Sequence, residues 1–179
     1  ILAYLKVILN DSDGQALKRI INVPKRGIGQ TTIDRVQFYA DIEGITFWEA
    51  LKRGSAITNI GAAYKKTDAF VDLIEGFRRD ERNRSLEDLT CKLLDEIGYV
   101  DMLAETSTPE ELADRQDNID EFINKIVSFE SSNDYEEDAE GVVELEGEDF
   151  ERPSRGLRGF IEEVSLVADS GAADESTDF

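Results

Sequence analysis

Apolar side chains in this chain return every three or four residues rather than every second one, and only three prolines (Pro24, Pro109, Pro153) interrupt its 179 residues. That spacing gathers side chains on one face of an α-helix, so the pattern predicts an all-α, irregular multi-helix fold. Ile1 to Leu9 reads as a short apolar helix ended by Asn10-Asp11-Ser12-Asp13-Gly14, with Asp13 placed to cap the next helix through Ile21. Thr31, with Asp34 at the third helical position, opens a helix that turns Ile33, Val36 and Tyr39/Ala40 inward. Thr46 and Glu49 frame a capping box around Phe47-Trp48.

A longer helix from about Asn59 to Arg82 buries Phe70, Leu73, Ile74 and Phe77. Ser85 caps another, whose Leu86, Leu89, Leu93, Leu94 and Ile97 face inward before Gly98 stops it. Thr108-Pro109-Glu110-Glu111 joins a capping hydroxyl, a proline at the first helical position and an acid near the positive end of the helix dipole. Leu112, Ile119, Phe122/Ile123 and Ile126 mark the inner face of that helix, and Leu157, Phe160, Ile161, Val164 and Val167 that of the last. The length fits one domain, 1–179.

Forty acidic against 20 basic side chains give a formal charge of −20. Residues 1–100 carry 15 of each sign, so residues 101–179, with 5 basic and 25 acidic, hold the whole excess. Ten of those acids fall in 134–151 with no Lys or Arg between them, which predicts a solvated acidic loop over 132–152. No apolar run approaches the roughly 18–20 residues that span a bilayer, and no secretory leader is present, so a cytoplasmic protein without a membrane partner is expected. Ile1 already lies inside an apolar periodic stretch and the chain stops at Thr177-Asp178-Phe179, which reads as a piece of a longer protein.

The single cysteine, Cys91, cannot form an internal disulfide, and its place beside an apolar stripe reads as packing. With no histidine, Cys/His zinc sites and Ser/His or Cys/His nucleophile pairs are excluded within this chain. No Gly-Lys-Ser or Gly-Lys-Thr occurs, so there is no phosphate loop for ATP. Asp11-Ser12-Asp13-Gly14 echoes a calcium loop, but the first ligand would be Leu9 and the closing glutamate Ile20; turn and cap is the better reading. Carboxylate pairs can be drawn anywhere among 40 acids and carry no information. Phe47-Trp48, directly after a cap, reads as a hydrophobic anchor rather than a base-stacking pair.

One stretch carries a specific signal. Leu17 to Ile33 contains an apolar helix end, a proline turn, Gly27-Ile28-Gly29 and a fresh helix start, the arrangement of a helix-hairpin-helix. The glycines allow positive φ and close approach to a surface, Ile28 anchors the hairpin between its helices, and free amides of the following N-terminus face outward toward an anion. Lys25 and Arg26 stand beside those amides and Lys18 and Arg19 about two turns earlier, so segment 15–35 has five basic residues against one acid. That reads as a surface for phosphates without base-reading side chains, the other reading being a tight interhelical turn with solvated charges. The predicted phosphate-contacting set is Lys18, Arg19, Lys25 and Arg26, and two to four such contacts predict a salt slope of roughly −2 to −4 in log K.

The string Ile20-Ile21-Asn22-Val23-Pro24-Lys25-Arg26-Gly27-Ile28-Gly29-x-x-Thr32 closely resembles domain 2B of the UvrD/PcrA/Rep-type superfamily 1 DNA helicases. The similarity continues through Phe47-Trp48-Glu49-Ala50-Leu51, Leu93-Leu94-Asp95-Glu96-Ile97-Gly98-Tyr99, Arg115-x-x-Asn118-Ile119-x-Glu121 and Phe160-Ile161-Glu162-Glu163-Val164-Ser165-Leu166, spanning most of the chain in order. The resemblance implies a helical insertion in the second motor domain of an ATP-dependent 3′–5′ helicase serving repair or replication. Its Gly-Ile-Gly segment would touch duplex DNA ahead of the single-strand/double-strand junction, which by position makes Lys25, Arg26, Gly27, Ile28, Gly29 and Thr32 the DNA-binding residues that the resemblance implies. It also implies that this chain has no catalysis or cofactor of its own, ATP and magnesium belonging to the parent's motor domains, which would be its other partner. The acidic segment 132–152 is longer than the family's usual connection. It leaves a second class of function open, an acidic protein–protein interaction module using 134–151.

Overall fold

The computed structural model describes the backbone of residues 1–139 and 156–174, and the side chains of 1–132 and 156–166. Every regular element among them is helical, as the periodicity predicts. The helices are α1 (Leu2–Leu9), α2 (Gly14–Ile20), α3 (Gln30–Glu43), α4 (Phe47–Lys52), α5 (Tyr64–Glu81), α6 (Leu86–Glu96), α7 (Tyr99–Thr106), α8 (Pro109–Ala139) and α9 (Leu157–Asp174). Short 3-10 turns at Gly54–Ala56 and Gly61–Ala63 join α4 to α5.

The caps fall where the side chains put them. Asp13 accepts from the amides of Gln15 and Ala16, and Ser85 from Asp88. Thr46 and Glu49 form a reciprocal box at the start of α4, and Thr108 and Glu111 another at the start of α8. Both box glutamates have their pKa lowered, first by the bond from the threonine backbone amide and then by the threonine hydroxyl. Gly98, at φ +63°, ends α6 and begins α7, a helix the periodicity did not separate.

Helix α5 is central. It packs on α1, α4 and α6, while α1 also meets α2 and α9, and α6 and α7 rest on α8. Trp48, Phe70, Ile74, Phe77, Leu89 and Phe160 fill the core between them. Phe160 stacks edge-on against both Phe122 and Phe129, with centroids 5.7 and 5.5 Å away, which fastens α9 to α8. Arg78 of α5 donates to the carbonyls of Val7 and Ile8 at the end of α1 and lies 4.6 Å over the Trp48 ring. One cation thus closes the end of one helix and packs against the anchor of another.

Four expectations shift. Helix α3 begins at Gln30 with Gly29 as its cap, two residues before the Thr31 cap that the sequence favoured. The helix expected from Asn59 starts at Tyr64, because Asn59 is left-handed at φ +69° and the chain first makes a 3-10 turn. Cys91 is exposed; Thr90 takes the inward place instead, its hydroxyl donating to the Leu86 carbonyl. The acidic loop expected from residue 132 is helical at its start, since α8 runs on through Ala139. No glycine or proline falls between Pro109 and Gly141, and glutamate is a good helix former, so charge alone does not end the helix. Residues 140–152 of that segment lie outside the described residues, as does the side chain of Val167. No helix among the described residues is long and apolar enough to cross a membrane.

Candidate nucleic-acid interface

The hairpin between α2 and α3 is held from inside by three side chains. Ile28 is fully buried and joins Ile20, Ile21 and Ile33 in the core, as its predicted anchoring role requires. Asn22 sits at the turn's centre, its Oδ1 accepting from the amides of Arg26 at 2.9 Å and Ile28 at 3.2 Å. A side-chain amide that takes two backbone donors fixes the loop path as a short strand would. The Val23-Pro24 peptide is cis.

Arg26 is the third, and it faces inward. Its guanidinium donates to the carbonyls of Ile20 at 3.1 Å and Pro24 at 3.2 Å, and to the Tyr4 hydroxyl oxygen at 2.5 Å. It also lies 5.5 Å from the Phe70 ring centre and 5.7 Å from that of Tyr4. The Tyr4 hydroxyl in turn donates to the Val23 carbonyl at 2.6 Å. Burial pushes the Tyr4 phenol above its usual 10.0, against the opposing pull of Arg26, so it stays protonated and able to donate at neutral pH. Arg26 therefore neutralises the carbonyl end of α2 and is not free for an external phosphate while those bonds hold.

What remains on the outside is small and basic. Lys25, Gly27 and Gly29 are exposed, and Lys25 makes no hydrogen bond or ion pair among the described residues. Gly27 takes the left-handed conformation at φ +70° that the sequence reading assigned to both glycines. Gly29 does not: at φ −80° and ψ 170° it is extended backbone, and a Cβ there would meet nothing within 4 Å. The amides of Gly29, Gln30 and Thr31 find no acceptor among the described residues, whereas those of Thr32 and Ile33 bond to the Gly29 carbonyl. Helix α3 has no side-chain cap and no acid in its first turn. Its positive end is therefore presented to solvent.

The other predicted cations have different neighbours. Lys18 lies 5.3 Å over the Phe47 ring, toward α4, while Arg19 lines a groove with Leu2, Ala3 and Lys6 of α1. Adjacent residues on a helix point about 100° apart, so the two leave α2 in different directions. Thr32 is half-buried within the first turn of α3. Two residues near the hairpin escaped the sequence reading. Asn22 lay inside the string, yet nothing in local spacing marks a side chain that folds back on its own loop. Lys66 of α5, 39 positions from Gly27, donates to the Gly27 carbonyl at 3.2 Å. Among the described residues no cluster of Cys, Asp and Glu is placed to hold a metal ion.

A family model for the UvrD-like helicase C-terminal domain matches residues 1–177. The ATP-dependent DNA helicase PcrA of Bacillus subtilis (strain 168) is 31% identical over 176 residues, which cover 98% of this chain and 21% of that helicase. The PcrA helicase of Staphylococcus aureus (strain NCTC 8325) is 32% identical over 177 residues, covering 97% and 21%. That of Staphylococcus epidermidis (strain ATCC 12228) is 31% identical over the same shares. The chain thus spans 21% of the length of these curated relatives.

Proposed function

Since the chain belongs to the UvrD-like helicase C-terminal domain family, we propose that it is the 2B domain of an ATP-dependent 3′–5′ DNA helicase acting in repair or replication. In this reading it grips the phosphate backbone of duplex DNA at a single-strand/double-strand junction and has no catalysis of its own. ATP and magnesium would be held by the parent's motor domains, with which this domain would move. The observation that carries the reading is the open first turn of α3, where three amides have no acceptor among the described residues, a Cβ at Gly29 would meet nothing within 4 Å, and the exposed Lys25 lies four residues earlier in the same hairpin. Amides and a lysine hold an anion without consulting a base, as a motor that must pass over every sequence requires.

The acidic balance fits a tethered grip. At cellular salt, charges more than about 8 Å apart are largely screened, so a local basic surface can work within a chain of charge −20. Binding by the isolated chain should be weak and salt-sensitive, and tethering to a motor raises the effective concentration of DNA. The test is Gly29→Asp. Aspartate is a preferred cap and nothing obstructs it at residue 29, so the fold should be kept, while its carboxylate occupies the amides and repels phosphate. Fluorescence anisotropy on a labelled duplex with a single-stranded tail should show loss of binding with an unchanged melting temperature. Unaltered binding would place the DNA surface elsewhere.

A further inference from the structure

Local sequence draws the charge of the hairpin surface from Lys25 and Arg26, but the guanidinium of Arg26 is spent on carbonyls and a tyrosine inside the fold. We propose that Lys66 of α5 is the second phosphate-binding cation of this surface, held ready on the carbonyl of Gly27 and transferred to a phosphodiester oxygen when DNA seats. The inference rests on reading the hairpin as a DNA-backbone surface, and adds to it a residue that neither the motif nor its spacing contains.

The geometry is that of a parked ammonium. The Nζ of Lys66 lies 3.2 Å from the Gly27 carbonyl oxygen, the lysine is exposed, and it forms no ion pair among the described residues. A Cβ on residue 27 would sit 2.5 Å from that Nζ, so the missing side chain of Gly27 is the space the amine occupies. Glycine at 27 thus serves two ends, the left-handed turn and the approach of Lys66. A neutral carbonyl is a weaker partner for an ammonium than a phosphate oxygen, and a flexible lysine stem can make the exchange without moving the helix. Arg26 is tied more firmly, because withdrawing it would break its bonds to the Ile20 and Pro24 carbonyls and to the Tyr4 hydroxyl at once. Since α5 packs on α1, α4 and α6, a phosphate taken by Lys66 would tie the duplex to the central helix of the domain rather than to a surface turn alone.

The test measures duplex affinity against salt concentration for the 179-residue chain and for Lys66→Met, Lys66→Arg and Lys25→Met. Two phosphate-bound cations give a slope of about −1.8 in log K against log salt and one gives about −0.9. Between about 50 and 200 mM salt the unsubstituted chain should therefore lose about 12-fold in affinity, and Lys66→Met about 3.5-fold. Lys66→Arg should restore the steeper slope, a rescue that a merely structural contact with Gly27 would not produce. An unchanged slope in Lys66→Met together with a shallower one in Lys25→Met overturns the role of Lys66 and leaves the DNA surface standing. Equal loss in Lys66→Met and Lys66→Arg also overturns it. Absence of any binding by the unsubstituted chain overturns the proposed function, and this inference with it.

Discussion

Helices α3 and α8 both follow a tight turn, yet they begin in opposite ways. At α8, Thr108 and Glu111 exchange bonds across the first turn, Pro109 removes one donor, and two acids lie against the positive dipole end. At α3 a glycine stands where the cap would be, the first turn holds no acid, and three amides have no acceptor among the described residues. The end of α8 is finished within the chain and that of α3 is not. The difference does not come from a looser loop, because the turn before α3 is fastened by Ile28, Asn22 and Arg26. A rigid turn that holds open amides is suited to receive an anion, whereas a closed box is suited only to start a helix.

The strongest way to break this contrast is to remove the rigidity. Ile28→Ala should cost about 3 kcal/mol in urea unfolding, since a large buried aliphatic side chain is replaced by a cavity between α2 and α3. A loss under about 1 kcal/mol would mean that the hairpin is not anchored through that side chain. Arg26→Ala comes next, at about 2 kcal/mol, because it removes the guanidinium's bonds to the Ile20 and Pro24 carbonyls and to Tyr4. If Arg26 is internal as described, its loss should lower the melting temperature while leaving the salt slope of DNA binding unchanged. A shallower slope in a variant that melts normally would show the guanidinium to be a phosphate contact after all.

How much of this could be read from the sequence follows the range of each interaction. Asp13, Thr46 with Glu49, Ser85 and Thr108 act within three residues of themselves, and all four cap where the sequence put them. The inward stripe of α5 and the anchor pair Phe47-Trp48 were legible for the same reason, since burial follows helical period. Thr31 misled because a hydroxyl before an apolar period imitates a cap, while Gly29 carries no side chain to announce itself. Arg26 could not be told from Lys25 by position. Which of two adjacent cations turns inward depends on Tyr4 and Phe70, which lie 22 and 44 residues away. Lys66 is invisible to local sequence for that reason too, and the acidic stretch reads as a loop by its charge although it holds no helix breaker before Gly141.

A smaller effect is expected at the closed end of α8. Thr108→Ala should destabilise the chain by about 1 kcal/mol at neutral pH, measured by thermal unfolding. The contribution of the box should also depend on pH. The Glu111 carboxyl is held below its ordinary 4.5 by the Thr108 amide and then by its hydroxyl. A carboxylate so depressed adds stability above its unfolded pKa and loses it as pH falls through the folded one, so the penalty of Thr108→Ala should shrink on acidification below about 4.5. Helix α3, with no acid in its first turn, should show no matching change when Gly29 is substituted by an uncharged residue. Equal penalties for Thr108→Ala at neutral and acid pH would mean that the hydroxyl does not act on Glu111, whose bond from the amide of residue 108 survives the substitution.

The smallest effect tests the open side. Gly29→Ser offers a hydroxyl to the free Thr31 amide, in backbone geometry that serine adopts readily and with nothing within 4 Å to obstruct it. Serine exceeds glycine as a cap by only a few tenths of a kcal/mol, so the melting temperature should rise slightly or stay level. The amide then has an internal acceptor that an incoming phosphate must displace, and duplex affinity should fall by a small factor while stability does not. Stability and binding moving in opposite directions at one residue would mean that the end of α3 is left unfinished for a ligand. A serine that raises both would mean that Gly29 is simply a poor cap and that the first turn of α3 is nothing more than a weak helix start.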